Sequence, residues 1–148
     1  MHDANKFSKI LVAIDGSDLS MKAADYAISE ARNNGAELTA LYVIRIPTGA
    51  YDLVIFPYDE LIKKDTEDAE KWFDIINKKA RENNVSLKTE TLSEMKSPAQ
   101  VIVEYAEKEG VDLIVVGTAG RTGFKKILLG SVASGVVTYS SCPVLVVK

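Results

Sequence analysis

Runs of consecutive apolar residues constrain this chain more than any other feature. Ile10-Leu11-Val12-Ala13-Ile14 stops at Asp15-Gly16-Ser17-Asp18, Leu113-Ile114-Val115-Val116 follows Asp112 into Gly117, and Pro143-Val144-Leu145-Val146-Val147 comes near the carboxyl end. A strand with one face in water alternates apolar and polar residues. One that is apolar at every position has both faces covered, the condition of a parallel sheet flanked by helices. A mixed strand over Glu37 to Ile44 and a weaker alternating one over Val85 to Leu92 complete the set. All of these runs are far too short to span a bilayer.

Helical patterns fill the intervals. Leu19, Ala23, Ala27 and Ala31 recur every four residues from Asp18 to Asn34, and Gly35 supplies the stop. Ile62, Ala69, Trp72, Phe73, Ile76 and Ala80 make a second stripe between Asp59 and Asn83, opposite a strongly charged face. Ser97-Pro98-Ala99-Gln100 has the form of a capping box with proline in the first turn; Val101, Ile102 and Tyr105 give that helix its inner face and Gly110 its end. A fourth helix opens at Gly130-Ser131, with Val132, Val136 and Val137 inward. The order β-α-β-α-β-α-β-α-β predicts an α/β three-layer sandwich in a single domain over 1–148.

Of the 148 residues 47% are hydrophobic and 26% charged, and the net charge is −3, so a folded core is expected and a specialist for nucleic acid or anionic membrane is not. Met1 to Lys9 lacks the charged-then-apolar layout of a signal peptide, and a lone cysteine, Cys142, forms no internal disulfide. The expected setting is the reducing cytoplasm.

The segment from Gly117 to Ser131 is the richest in chemistry. Gly117, Gly120, Gly123 and Gly130 let backbone turn sharply and approach a ligand, and Gly130-Ser131 offers helix amides and a hydroxyl suited to phosphate. Thr118, Arg121 and Lys125 add donors and positive charge. The spacing fits neither a P-loop nor a dinucleotide fingerprint, and by physics alone a phosphate site and a plain glycine-rich turn both account for it. Asp15, at the tip of the first strand, suits a ribose hydroxyl or an amine; it equally suits a turn or cap with Gly16 and Ser17. The segment from Arg45 to Tyr58 reads as a surface connection, a lid, or a contact with a second subunit.

The spacing Gly117-x2-Gly120-x9-Gly130-Ser131 resembles the nucleotide-binding signature of the universal stress protein family. ILVAIDGS at Ile10 to Ser17, Leu41 to Ile44, Ser97-Pro98-Ala99, Gly130-Ser131-Val132-Ala133 and Cys142 to Val147 match other family segments in order. The resemblance implies a five-stranded parallel sheet of order 3-2-1-4-5 with four helices, binding ATP with Mg²⁺ at the strand carboxyl ends. It implies further that Ala13 and Val43 line the adenine pocket and Asp15 meets adenine and ribose. Gly117 and Gly120 would border ribose and phosphates, and Gly130, Ser131, Val132 and Ala133 would hold phosphate oxygens. Ala119 stands where many relatives carry histidine, and Ser97 where glycine is common. Neither change removes the glycine-serine frame.

Catalysis has little support. The only histidine is His2, near the start of the chain, so no histidine triad or histidine metal cluster forms. Cys142 reads as a small core residue, and the acidic residues around Glu67 interleave with lysines as a solvated helix face. The expected function is therefore a nucleotide-responsive stress module with at most slow ATP hydrolysis. Its alternatives are a phosphoryl or adenylyl hydrolase or transferase, and a dimeric scaffold with an idle site. Val144 to Val147, as an edge strand, would expose an apolar edge, and the resemblance implies a homodimer through it.

Overall fold

In the computed structural model, residues 6–47, 58–119 and 129–148 are described. The elements run β1 (Lys9–Ile14), α1 (Asp18–Asn34), β2 (Glu37–Arg45), α2 (Tyr58–Glu82), β3 (Leu87–Glu94), α3 (Pro98–Glu109), β4 (Leu113–Gly117), α4 (Ser131–Tyr139) and β5 (Val144–Val147). All strand pairs are parallel and the order is β3-β2-β1-β4-β5, as expected.

Alternation along each strand divides the core into two layers. Ile10, Val12, Leu38, Ala40, Tyr42 and Val115 pack with the alanines of α1 and with Ala69, Phe73 and Ile76 of α2. Leu11, Leu41, Ile114 and Val116 face the other way, onto Ile102 and Ala106 of α3 and Ala133 and Val136 of α4. Alanine at positions 23, 24, 27 and 31 is fully buried, so α1 lies close against the sheet without large side chains between them. The chain steps from β1 outward to β3, then crosses back over β1 to β4. Helices before and after that reversal occupy opposite faces, as a constant crossover hand requires.

Local chemistry sets the boundaries. Ser17 caps α1 by accepting from the Ser20 amide (3.2 Å), Ser97 caps α3 by accepting from the Gln100 amide (3.3 Å), and Gly35 and Gly110 end these helices in the left-handed region. β3 begins at Leu87 rather than Val85. Asn84, at φ 56°, takes the terminal role glycine has elsewhere, and the Val85 amide donates to Ala80 O (2.9 Å), so it is not available to the ladder. In α4, Ala133 and Val136 are buried and Val132 packs against them, but Val137 is 46% exposed. With Val132, Ala133 and Val136 centred on the sheet, helical geometry carries Val137 round to the flank.

The two sheet edges differ in character. β3 carries Lys88, Glu90 and Glu94, with the Lys88 ammonium held above its usual range first by Tyr105, whereas β5 is valine and leucine throughout. At the opposite end of the strands, the Asp112 carboxylate accepts from the amides of Ser8 (2.9 Å) and Lys9 (3.1 Å), and its own amide donates to Lys9 O (2.9 Å). This clamp fixes the register of β1 against β4. Hydrogen bonds to an ionised acceptor are among the stronger ones, so Asp112→Ala should lower stability by about 1–3 kcal/mol, read as the midpoint shift in urea unfolding.

Candidate functional site

The reversal between β1 and β4 leaves a crevice beyond their carboxyl ends, where open α/β sheets bind ligands. On the β1 side, Asp15 Oδ1 accepts from the Ser17 amide (2.9 Å), which closes the turn expected for Asp15-Gly16-Ser17. The Asp15 amide donates to Ser20 Oγ (3.2 Å), and the Ser20 hydroxyl donates to Ser17 O (2.9 Å). Ser20 is the one buried polar side chain among the described residues, so this small network holds the turn rigidly. Gly16 has φ 82°, and a Cβ there would coincide with the Trp72 indole. Glycine is required at this position on both counts.

Ala13 and Val43 are half-buried on the α3–α4 side of the sheet, beside Leu41 and Leu92. Gly117 ends β4 against the first turn of α1, where a Cβ would stand 3.3 Å from the Leu19 backbone.

The glycine-rich loop is drawn together at its neck. Thr118 donates its amide to Val147 O (2.8 Å), and the Gly130 amide donates to Thr118 O (2.6 Å). A Cβ on Gly130 would stand 3.1 Å from that same oxygen. The Gly130 amide is therefore committed to the neck, which removes it from the amides offered to phosphate. Those of Ser131, Val132 and Ala133 remain. No side chain caps α4, its first intrahelical bond runs from Ser134 N to Gly130 O (2.8 Å), and none of these amides has an acceptor among the described residues. α1 and α3 are both capped by serine, so α4 alone of the three has a first turn with no side-chain partner among the described residues. Gly120, Gly123, Arg121 and Lys125 lie outside the described residues.

Beside that turn is a cavity of about 630 Å³ between α3 and α4, shared by Ser131, Val132, Arg45, Gln100, Glu104 and Tyr139. Sequence reasoning missed Gln100 as a neighbour of this cavity, whereas Arg45 opens the segment read as a surface connection, a lid or a subunit contact. The signal for Arg45 was its place at the carboxyl end of β2. Gln100 was read as the returning half of a capping box, but its side chain runs forward to Glu104 Oε1 (3.1 Å) while Lys96 donates to Glu104 Oε2 (2.8 Å). These hydrogen bonds, Lys96 first, hold the Glu104 carboxyl below the usual carboxylate range and the Lys96 ammonium above its own. Among the described residues, no cluster of three or more His, Cys, Asp or Glu is placed to hold a metal, and no helix is long and apolar enough to cross a membrane.

The model of the universal stress protein family matches residues 6–148. The chain belongs to that family. It is 42% identical to universal stress protein MJ0531 of Methanocaldococcus jannaschii, over 97% of this chain and 84% of that one. It is 38% identical to universal stress protein YxiE of Bacillus subtilis, over 96% and 99%. Among solved structures, universal stress protein UspA from Lactobacillus plantarum superposes with a TM-score of 0.85 at 30% identity, covering 97% of this chain and 99% of that one.

Two predictions follow from this geometry. Gly130→Val should crowd Thr118 O and destabilise the fold by about 1–3 kcal/mol in urea unfolding, with Gly130→Ala milder. The Glu104 carboxyl, whose pKa is lowered in the folded protein, contributes to stability above the ordinary glutamate range and loses that contribution as pH falls through the depressed value. In a carbon-detected NMR titration its midpoint should lie below that of an isolated glutamate and move back up in Lys96→Met.

Proposed function

We propose that this universal stress protein binds ATP at the crevice between β1 and β4 and acts as a nucleotide-responsive module of the cytoplasm. The observation that carries the reading is the open first turn of α4. The amides of Ser131, Val132 and Ala133 have no acceptor among the described residues, the Ser131 hydroxyl stands with them, and the Gly130–Thr118 bond ties this turn to the end of β4. Such a turn favours phosphate through both its amides and its dipole. A solved family member in complex with cAMP, with TM-score 0.68 and 25% identity, adds support for a nucleotide.

In this reading Asp15 accepts a ribose hydroxyl, and Ala13 and Val43 bound the base. Gly117 and Gly120 are the residues this reading sets at the border of ribose and phosphates. Ser131, Val132 and Ala133 would hold the phosphate oxygens through amides and a hydroxyl, and a Mg²⁺ bound with the nucleotide would supply neutralising charge. Ala119 puts no imidazole beside the phosphates, so hydrolysis is slow and the protein is a binder first.

Protein denatured immediately after purification should release adenine nucleotide at close to one per chain, measured by chromatography with mass detection. Added Mg-ATP should raise the melting temperature. Ser131→Ala should weaken ATP about tenfold in calorimetric titration, the size of one lost hydrogen bond to a charged group, and leave adenosine unchanged. Absence of both released nucleotide and thermal shift would favour the scaffold reading, and turnover at about 1 s⁻¹ or faster would favour an enzyme.

The β5 edge supports a second part of the proposal, a homodimer paired through Val144 to Val147. The carbonyls of Pro143 and Val147 point to β4, accepting from Ile114 and Thr118, so by strand alternation the amides of Val144 and Val146 point outward. Val146→Pro removes an outward donor and leaves the β4 ladder intact. Light scattering should show it as a monomer with little loss of melting temperature, where the parent is a dimer.

A further inference from the structure

Resting on the nucleotide reading, we infer that Trp72 is a positioning residue for Asp15, setting the aim of the carboxylate that meets the nucleoside half of the ligand. Trp72 belongs to α2 and is only partly buried, standing beside the stripe of Ala69, Phe73, Ile76 and Ala80 that α2 buries in the core. Its indole fills the space that a side chain at residue 16 would take, directly against the turn that carries Asp15. It also meets the ring of Tyr42 edge to face, with centroids 5.1 Å apart at 88°. Tyr42 is buried on β2 and paired in register with Ile14, the residue that precedes Asp15.

These contacts close a ring: Ile14, Asp15, Gly16, the indole, Tyr42, and back to Ile14 through the sheet. The α1 side of the turn is held by hydrogen bonds from the Ser17 amide and to Ser20 Oγ. The α2 side is held by the indole. A glycine at φ 82° has no side chain to oppose rotation of its neighbouring peptides, so a flat ring packed on it supplies the restraint that a Cβ cannot. A leucine at position 72 would preserve apolar burial and lose the flat contact with both Gly16 and Tyr42.

Asp15 serves the nucleoside and the α4 turn serves the phosphates, so ligand truncation separates this role from a general effect on folding. In calorimetric titration below the melting range, Trp72→Leu should weaken ATP and adenosine by the same factor, about tenfold, and Trp72→Phe should restore most of the loss. In an Asp15→Ala background, Trp72→Leu should cause no further loss, because the indole acts through that carboxylate. As Trp72 is the only tryptophan, its emission in the unaltered protein should change on adding adenosine and stay constant on adding inorganic tripolyphosphate, a readout that needs no variant to fold. Equal affinity of parent and Trp72→Leu for adenosine, additive losses with Asp15→Ala, or an indole blind to bound adenosine would each overturn the inference. If the unaltered protein binds neither ATP nor adenosine, the nucleotide reading falls as well; if it binds both and Trp72→Leu does so equally, the inference about Trp72 falls alone.

Discussion

β1 must be covered on both faces. Leu11 and Val12 are adjacent, point in opposite directions, and are both fully excluded from water. A strand of that kind is stable only between two layers of helix, and a chain whose crossovers share one hand can reach both layers only by reversing its direction of travel across the sheet. The reversal falls next to β1, and it parts the loops after β1 and β4. The crevice that results is a by-product of burying one strand, with Asp15 directly after β1 and Gly117 at the end of β4 on either side of it.

At that rim, glycine is used in several distinct ways. Gly16 has a left-handed conformation and lies beneath an aromatic ring, Gly117 allows β4 to close on the start of α1, and Gly130 lets two backbone segments meet at the loop's neck. In each case the missing Cβ brings backbone near backbone or ring, so the polar groups that remain exposed are held by rigid neighbours. The neck also divides labour among amides. The Gly130 N–H closes the loop, and those after it have no acceptor among the described residues.

The architecture was legible because hydrophobic periodicity reports burial directly, and the consecutive apolar residues of β1 and β4 left few alternatives. The misreadings arose where one polar group had two possible partners. Val85 has the composition of a strand residue, but its amide closes the end of α2; Gln100 has the spacing of a capping box, but Lys96 and Glu104 present a charged partner on the other side. Val137 was a matter of phase, since a helix of nine residues gives its apolar set little to define a direction. Asp15, Gly117 and the glycine-serine frame could be picked out because their chemistry is local in sequence. Trp72 was readable only as core. Its contact with Gly16 joins residues 56 apart in sequence, and no local pattern encodes it.

The contrast between the sheet edges bears on how large an assembly this protein can build. Edge-to-edge pairing of identical sheets continues indefinitely when both borders accept a partner, and the product is a fibre. Here the β3 border carries lysine and glutamates, which disfavour such pairing, and the β5 border carries no charge. An association through β5 uses up the available border of both participants at once. Growth ends at the first step, and protection from open-ended polymerisation lies in β3, the strand farthest from the contact itself.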